Sequence, residues 1–346
     1  MRLGTAIGIL CCLAASCEAQ ETARPRTGLQ RFDYAEPHMG VPFRISVYAR
    51  DQRAANNATT AAFKRIAALN DVFSDYSTTS EVTRLRQYRV GEPVAVSNDL
   101  AKLLGRSLSF SKRTRGAFDV TVGPLVRQWR RTQRRKQLPQ ADTLQTAKSR
   151  SGHQRLQLTG TELRFNVDGM RLDFGAIAKG FACDEAITVL TKHGIASALV
   201  DGGGDICLSA APPGKTGWRI QIEPEKPGEP APLLVLKNCA VATSGDRYRF
   251  VEINGKRYSH IVDPRTGLGL TSRLTVTIVA PNATDADAVA SAVSVLGVKD
   301  GVKFVESVKG LEGMVRDYSA NEPRSRSSPG FGKLVSRSRQ QPKPYR

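Results

Sequence analysis

The sequence predicts an α+β fold, and three observations lead there. Short runs that alternate apolar and polar residues stand among segments with apolar residues every three to four positions. The two kinds follow one another without a regular βαβ rhythm, and no self-similar period marks a solenoid or propeller. In chain order, Phe43–Tyr48 predicts a strand with one buried face, Ala61–Leu69 a helix, and Asn98–Arg115 a second helix capped by Asn98. A third helix runs from about Ala178 to His193 and stops at Gly194, feeding the strand Ala196–Val200 and the glycine turn Asp201–Asp205. Leu233–Leu236 and Leu274–Val279 predict further strands. A last helix starts at Thr284, carries Asp285 and Asp287 in its first turn and ends at Gly297.

A chain of 346 residues, 40% hydrophobic and 24% charged, can bury a sizeable core. Its formal net charge is +19, but the excess is localised: Arg127–Lys136 holds six basic residues and no acidic one, and Asp317–Arg346 seven against two. No aromatic interleaving accompanies the arginines of the Ser/Pro/Arg-rich tail, which argues against a nucleic-acid partner; the tail reads as solvated, with an anionic membrane surface as a candidate partner. Six cysteines, three of them in the first 17 residues, are too few for a disulfide scaffold. Arg2, the apolar run Ala6–Ala15 and the small residues up to Ala19 have the layout of a secretory signal, with removal expected after Ala19. Lipidation at Cys17 stays open, although Ala14 stands where a lipobox has a large aliphatic residue. The expected layout is a signal peptide over 1–19, a catalytic domain over 33–332 and a disordered basic tail over 333–346. The Ser/Pro/Arg-rich stretch from Ala320 to Gly330 also reads as disordered.

Several segments have the residue types that chemistry needs. Asp287 and Ser291 lie four apart, so on a helix a carboxylate and a hydroxyl project from one face, a hard oxygen pair suited to Mg2+. The same residues also fit a helix start and small-residue packing. Asp173–Gly180 passes through small residues into a helix, and Lys179 could face a phosphate, or the segment could be only a tight turn. It matches neither a dinucleotide fingerprint nor a phosphate-loop signature. Asp119 and Thr121 sit among apolar residues, where a lone Asp also serves as a turn residue. Of the four histidines, His260 has the most polar surroundings, ahead of an Asp-Pro-x-x-Gly turn.

Taken in order, Met39-Gly40, Phe73–Glu81, Gly116–Asp119 with Thr121 and Gly123-Pro124, Asp173–Gly180, Gly203–Asp205, Thr243–Gly245, His260–Gly267 and Ala286-Asp287 with Ser291 resemble the FAD:protein FMN transferases, the ApbE family. The resemblance implies two lobes of antiparallel sheet with flanking helices, T-fold-like, and a flavin cleft between them. It implies a Mg2+ enzyme that takes FAD as substrate, joins FMN to a Ser or Thr hydroxyl of an acceptor protein and releases AMP. It also implies a place in the periplasm or on the periplasmic face of the inner membrane. On this resemblance Met39, Tyr76, Ala117, Phe118, Asp119, Asp173, Lys179 and Ile261 would line the FAD site. Asp287, Ser291 and the Ala176 carbonyl would hold the metal, and His260 would be the base. The family more often has Thr where this chain has Ser291, which keeps the hydroxyl. Two other readings stay open: the same site hydrolysing FAD to FMN and AMP, or an exported flavin-binding protein without turnover.

Overall fold

The computed structural model describes residues 28–224, 229–246, 249–320 and 322–336. The expected signal peptide, Cys17 and the tail beyond 336 lie outside the described residues. The helices are α1 (Gln52–Phe73), α2 (Glu81–Arg84), α3 (Asn98–Arg113), α4 (Gly123–Arg135), α5 (Ala141–Ser149), α6 (Ala178–Lys192), α7 (Ala283–Glu306) and α8 (Phe331–Leu334).

The α+β class is observed. Among the described residues, eight antiparallel strands form the main sheet, in the order 30–38, 41–49, 198–202, 205–208, 239–245, 274–280, 312–317 and 324–327. The other strands among the described residues form one three-stranded and two two-stranded sheets. One face of the main sheet packs on α1, α6 and α7 through Phe43, Ile45, Val47, Val276 and Ile278, all fully buried. The other face is also covered, by a second cluster around Trp218, Leu234, Val241, Val279 and Phe331. Hence Leu274–Ala280 is buried along its whole length, where alternation predicts one buried face. Its threonines turn to polar neighbours: Thr277 meets the Thr243 hydroxyl at 3.3 Å, and Thr275 donates to Glu223 at 3.2 Å.

Several expected boundaries move for local reasons. The cap of α3 is Ser97, whose hydroxyl accepts from the Leu100 N–H, so Asn98 is already inside the helix. α7 begins at Ala283, capped by Asn282, which puts Asp287 beyond the first turn; it breaks at Gly297 (φ 81°, ψ −179°) and then resumes to Glu306. The strand expected at 196–200 is Ala198–Gly202. The stretch read as disordered contains the strand Arg324–Ser327, because its backbone pairs with the open edge of Glu312–Asp317 whatever its side chains are. Within the expected tail, Leu334 and Val335 pack on the second cluster, and the Ser336 N–H donates to the Leu233 carbonyl at 2.7 Å.

α6 and α7 meet at Gly180, where a Cβ would stand 2.2 Å from the Ala283 carbonyl oxygen and 2.9 Å from Asp287 Cβ. Gly180→Ala, a change that favours an isolated helix, is therefore expected to destabilise the protein by about 1–3 kcal/mol. Urea unfolding monitored by circular dichroism measures it; an unchanged or raised midpoint would show that the helices separate at no cost.

Candidate active site

A cavity of about 470 Å3 opens beside this helix contact. Its walls come from the 116–126 segment, the entry to α6, the Gly203–Asp205 turn, the end of strand 239–245, the loop after Ser259 and the first half of α7. The sheet register explains the convergence: Asp205 pairs with Ala242, and Gly245 with Thr275. Gly203 and Gly204, at φ 75° and 103°, turn the chain tightly enough to put Asp205 on the cavity wall.

Lys179 is the charge centre of the cavity. Its ammonium is paired with Asp205, and Asp287 Oδ2 lies 3.7 Å away. Burial opposes its charge, but the two carboxylates overcome that and raise its pKa above the ordinary lysine value. Burial and the neighbouring Asp287 push Asp205 up to about 7, against the pull of Lys179. Asp287 is likewise raised by burial, with Lys179 and the Gly180 N–H opposing. That N–H donates to Asp287 Oδ2 at 3.1 Å, whereas a regular helix would direct it to the Ala176 carbonyl. No other backbone N–H among the described residues takes its place, so the Ala176 oxygen keeps its lone pairs where the residue lines the cavity.

Ser291 follows Asp287 by one turn of α7 and lines the same wall. Asp287, Ser291 and the Ala176 carbonyl thus offer oxygens only, with a single carboxylate. Among the described residues no cluster of three or more His, Cys, Asp or Glu suited to a metal forms. The donor set fits a hard cation that keeps water and substrate oxygens as its other ligands.

His260 lies on a loop tied down at three places. Trp129 Nε1 donates to the Ser259 carbonyl at 3.0 Å. Gly267 packs where a Cβ would come within 2.6 Å of Leu144. Arg265, paired with Asp263, donates to the Val295 carbonyl of α7 at 3.0 Å, next to the break at Gly297. The His260 ring Nδ1 lies 3.1 Å from the Arg249 carbonyl, which can only accept, so Nδ1 bears the proton and Nε2 the lone pair. Burial, with the charges of Arg249 and Lys179, holds His260 below the ordinary imidazole value despite that hydrogen bond.

Of the other predicted residues, Ala117, Phe118, Asp119, Asp173 and Ile261 line the cavity. Phe118 is 4% exposed and meets Phe110 edge-on at 6.0 Å, so its ring is largely engaged in the core. The Asp119 carboxylate is occupied by the Thr121 N–H and hydroxyl and by the His153 N–H and Nδ1, at 2.7–3.2 Å. Asp173 accepts from the Gly175 N–H and meets Arg130 at 3.1 Å; burial and Asp75 raise its pKa while Arg130 lowers it. Met39 and Tyr76 do not line the cavity. Met39 occupies a tight hairpin turn (φ 49°) two residues before Val41, which does line it. Tyr76 is 78% exposed and stacks under Arg130, whose guanidinium is 4.4 Å from the ring and bridges Asp75 and Asp173. Sequence reasoning assigned no role to Asp205, Arg249 or Arg130. The triple-glycine turn before Asp205 was its one usable signal; Arg130 was hidden in a basic run.

The sequence profile of the ApbE family matches residues 39–315, which span the whole cavity wall. The chain belongs to the ApbE family. Among curated relatives, the FAD:protein FMN transferase of Treponema pallidum is 31% identical over 349 residues, covering 95% of this chain and 94% of its own. Two solved ApbE structures superpose at TM-score 0.80. The flavinyl transferase of Pseudomonas stutzeri, in its apo form, is 26% identical over 89% of this chain and 97% of its own. A mutant of the Vibrio cholerae flavin transferase with a histidine replaced by glycine is 28% identical over 88% and 99%. The ApbE membership thus rests on sequence and on the arrangement of the whole fold.

The raised Asp205 pKa gives a stability test with a definite sign. Between about pH 4 and 7 the folded protein holds a proton that an unfolded Asp has released, so this group's contribution falls as pH rises through that window. In EDTA, the unfolding free energy of wild type minus that of Asp205→Asn is expected to decline from pH 4 to 7. Urea titrations across that range decide; a flat or rising difference would mean that Asp205 is ionised throughout.

Proposed function

We propose that this protein transfers FMN from FAD to a Ser or Thr hydroxyl of an acceptor protein, with Mg2+, releasing AMP. The reading is supported by the names of its ApbE relatives. The observation that carries it is the meeting in one cavity of Lys179, the oxygen set of Asp287, Ser291 and Ala176, and a neutral His260. The acceptor oxygen attacks the FMN phosphorus while the phosphorus–oxygen bond to AMP breaks, and AMP leaves with the bridging oxygen. His260 Nε2 takes the hydroxyl proton as the new bond forms. Lys179, held by Asp205, presents positive charge to the pyrophosphate oxygens. Asp287, Ser291 and the Ala176 carbonyl would hold Mg2+, which neutralises the charge developing on the phosphoryl oxygens when bound. Asp173, steadied by Arg130, and Ile261 would flank the substrate.

We further place the mature protein outside the cytoplasm, on the strength of the signal-like layout of residues 1–19, with the basic C-terminal tail facing anionic lipid.

His260→Ala is expected to slow FMN transfer by about 10²–10⁴-fold while FAD affinity changes little. In wild type the acid limb of the rate profile should fall below the ordinary imidazole pKa, since the base must be unprotonated and its pKa is lowered. Stopped assays of covalent FMN and AMP, run separately over pH 5–8, measure both; a parallel loss of FAD binding would make His260 a binding residue. Asp287→Asn should cost on the order of 10²-fold at low Mg2+ and recover partly at high Mg2+. Ser291→Ala should be milder and Ser291→Thr near neutral. Mg2+ titrations that superpose for wild type and Asp287→Asn would remove the metal site.

A further inference from the structure

A second hollow, of about 360 Å3, shares a wall with the active-site cavity. Val122, Val126 and Asp173 face the cavity, while Pro124, Arg127 and Arg171 of the same two segments face the hollow. The segments are locked together: Val122 and Arg171 form a β-bridge, and a Cβ on Gly123 would lie 2.5 Å from the Arg171 carbonyl oxygen.

Three arginines line this hollow: Arg127 on α4, Arg150 just past the end of α5, and Arg171. Elsewhere Arg65, Arg106, Arg130, Arg257 and Arg265 are each paired with carboxylates. Among the described residues the guanidinium groups of Arg127, Arg150 and Arg171 have no such partner, and only Asp142 brings a carboxylate to the hollow. Burial and the charges of Arg127, Arg86 and Arg150 hold Arg171 below its ordinary value, so like charges repel one another here. Gly169 is the second built feature. At φ 72° it has no side chain, and a Cβ there would come within 2.9 Å of Arg150 Cδ and 3.0 Å of Nε, so the arginine lies directly on the backbone. Thr143 and Thr146 on the facing side of α5 add hydroxyls to the lining.

We propose that this hollow binds a phosphate group, seated by Arg127, Arg150 and Arg171, borne either by a free phosphate or by an anionic lipid headgroup. Guanidinium forks match phosphate oxygens with charge-assisted pairs, and several forks around one concavity suit a compact anion with several oxygens. A bound phosphate would offset the repulsion and brace α4, α5 and Arg171 behind Asp173. The proposal does not depend on FMN transfer.

Calorimetric titration of inorganic phosphate into the full-length protein in EDTA tests it. Wild type and Lys179→Met, which alters only the other cavity, should bind one phosphate per chain saturably and more weakly as chloride rises. Arg127→Ala and Arg150→Ala, both at exposed positions, should each weaken binding at least about tenfold, and Gly169→Ala should do so by displacing Arg150. Sedimentation with phosphatidylglycerol against phosphatidylcholine vesicles separates the sources. Arginine-dependent capture by the anionic vesicles identifies a headgroup; capture indifferent to the arginines, together with phosphate binding, identifies a free phosphate. Absence of saturable phosphate binding in wild type, or binding unchanged in both arginine variants, overturns the proposal.

Discussion

The close contact between α6 and α7 governs the geometry of the site. Without a side chain at Gly180, the start of α7 approaches until the Ala283 carbonyl oxygen lies 2.2 Å from where a Cβ would be. That approach brings Asp287 within reach of the Gly180 N–H and of Lys179. One missing methyl group thus sets two relations together. It buries a carboxylate against an ammonium, and it diverts a helical N–H so that the Ala176 carbonyl stays available. Burying these charges costs free energy unless they are paired, which explains why Asp205 completes the cluster from the glycine turn.

The rest of the protein brings other elements to that contact. The sheet supplies Asp205 and the end of strand 239–245, with α1, α6 and α7 on one face and the second apolar cluster on the other. A strand buried on both faces, Leu274–Ala280, pairs with strand 239–245 and so fixes the end of that strand which lines the site. The His260 loop arrives separately and is held by Trp129, by packing at Gly267 and by the Arg265 link to α7. The break at Gly297 interrupts the helical ladder near Val295, which suits the carbonyl there to accept from Arg265. The His260 loop and the helix that carries Asp287 and Ser291 are therefore joined through the same segment of α7.

Charge is sorted by its partners. Arg130 belongs to a six-charge run, yet it is spent on Asp75, Asp173 and the Tyr76 ring at the cavity rim. Arg127, three residues earlier, faces the second hollow among other arginines. A count along the chain sees one basic stretch; a helix surface divides it into a face that serves the cavity and a face that gathers like charge.

What the sequence determined by itself was local or collective: helices and strands from periodicity, the α+β class from their irregular succession, and the family from ordered motifs. Asp287 and Ser291 could be placed on one helical face because a four-residue spacing is a fixed angle. It also identified Lys179 and His260 as candidates, though not what each would face. Only the tertiary structure decided that Asp205 pairs with Lys179, that Arg130 reaches Asp173, that Asp119 is tied up by Thr121 and His153, and that residues 324–327 complete a sheet. The Lys179–Asp205, Arg130–Asp173 and Asp119–His153 pairings join residues 26, 43 and 34 apart in the chain, and their energy comes from burial and proximity that no local pattern encodes. The residue at Gly180 shows the division well. The sequence marks it as small, but the carbonyl it must admit lies more than a hundred residues away and meets it only when α6 and α7 pack.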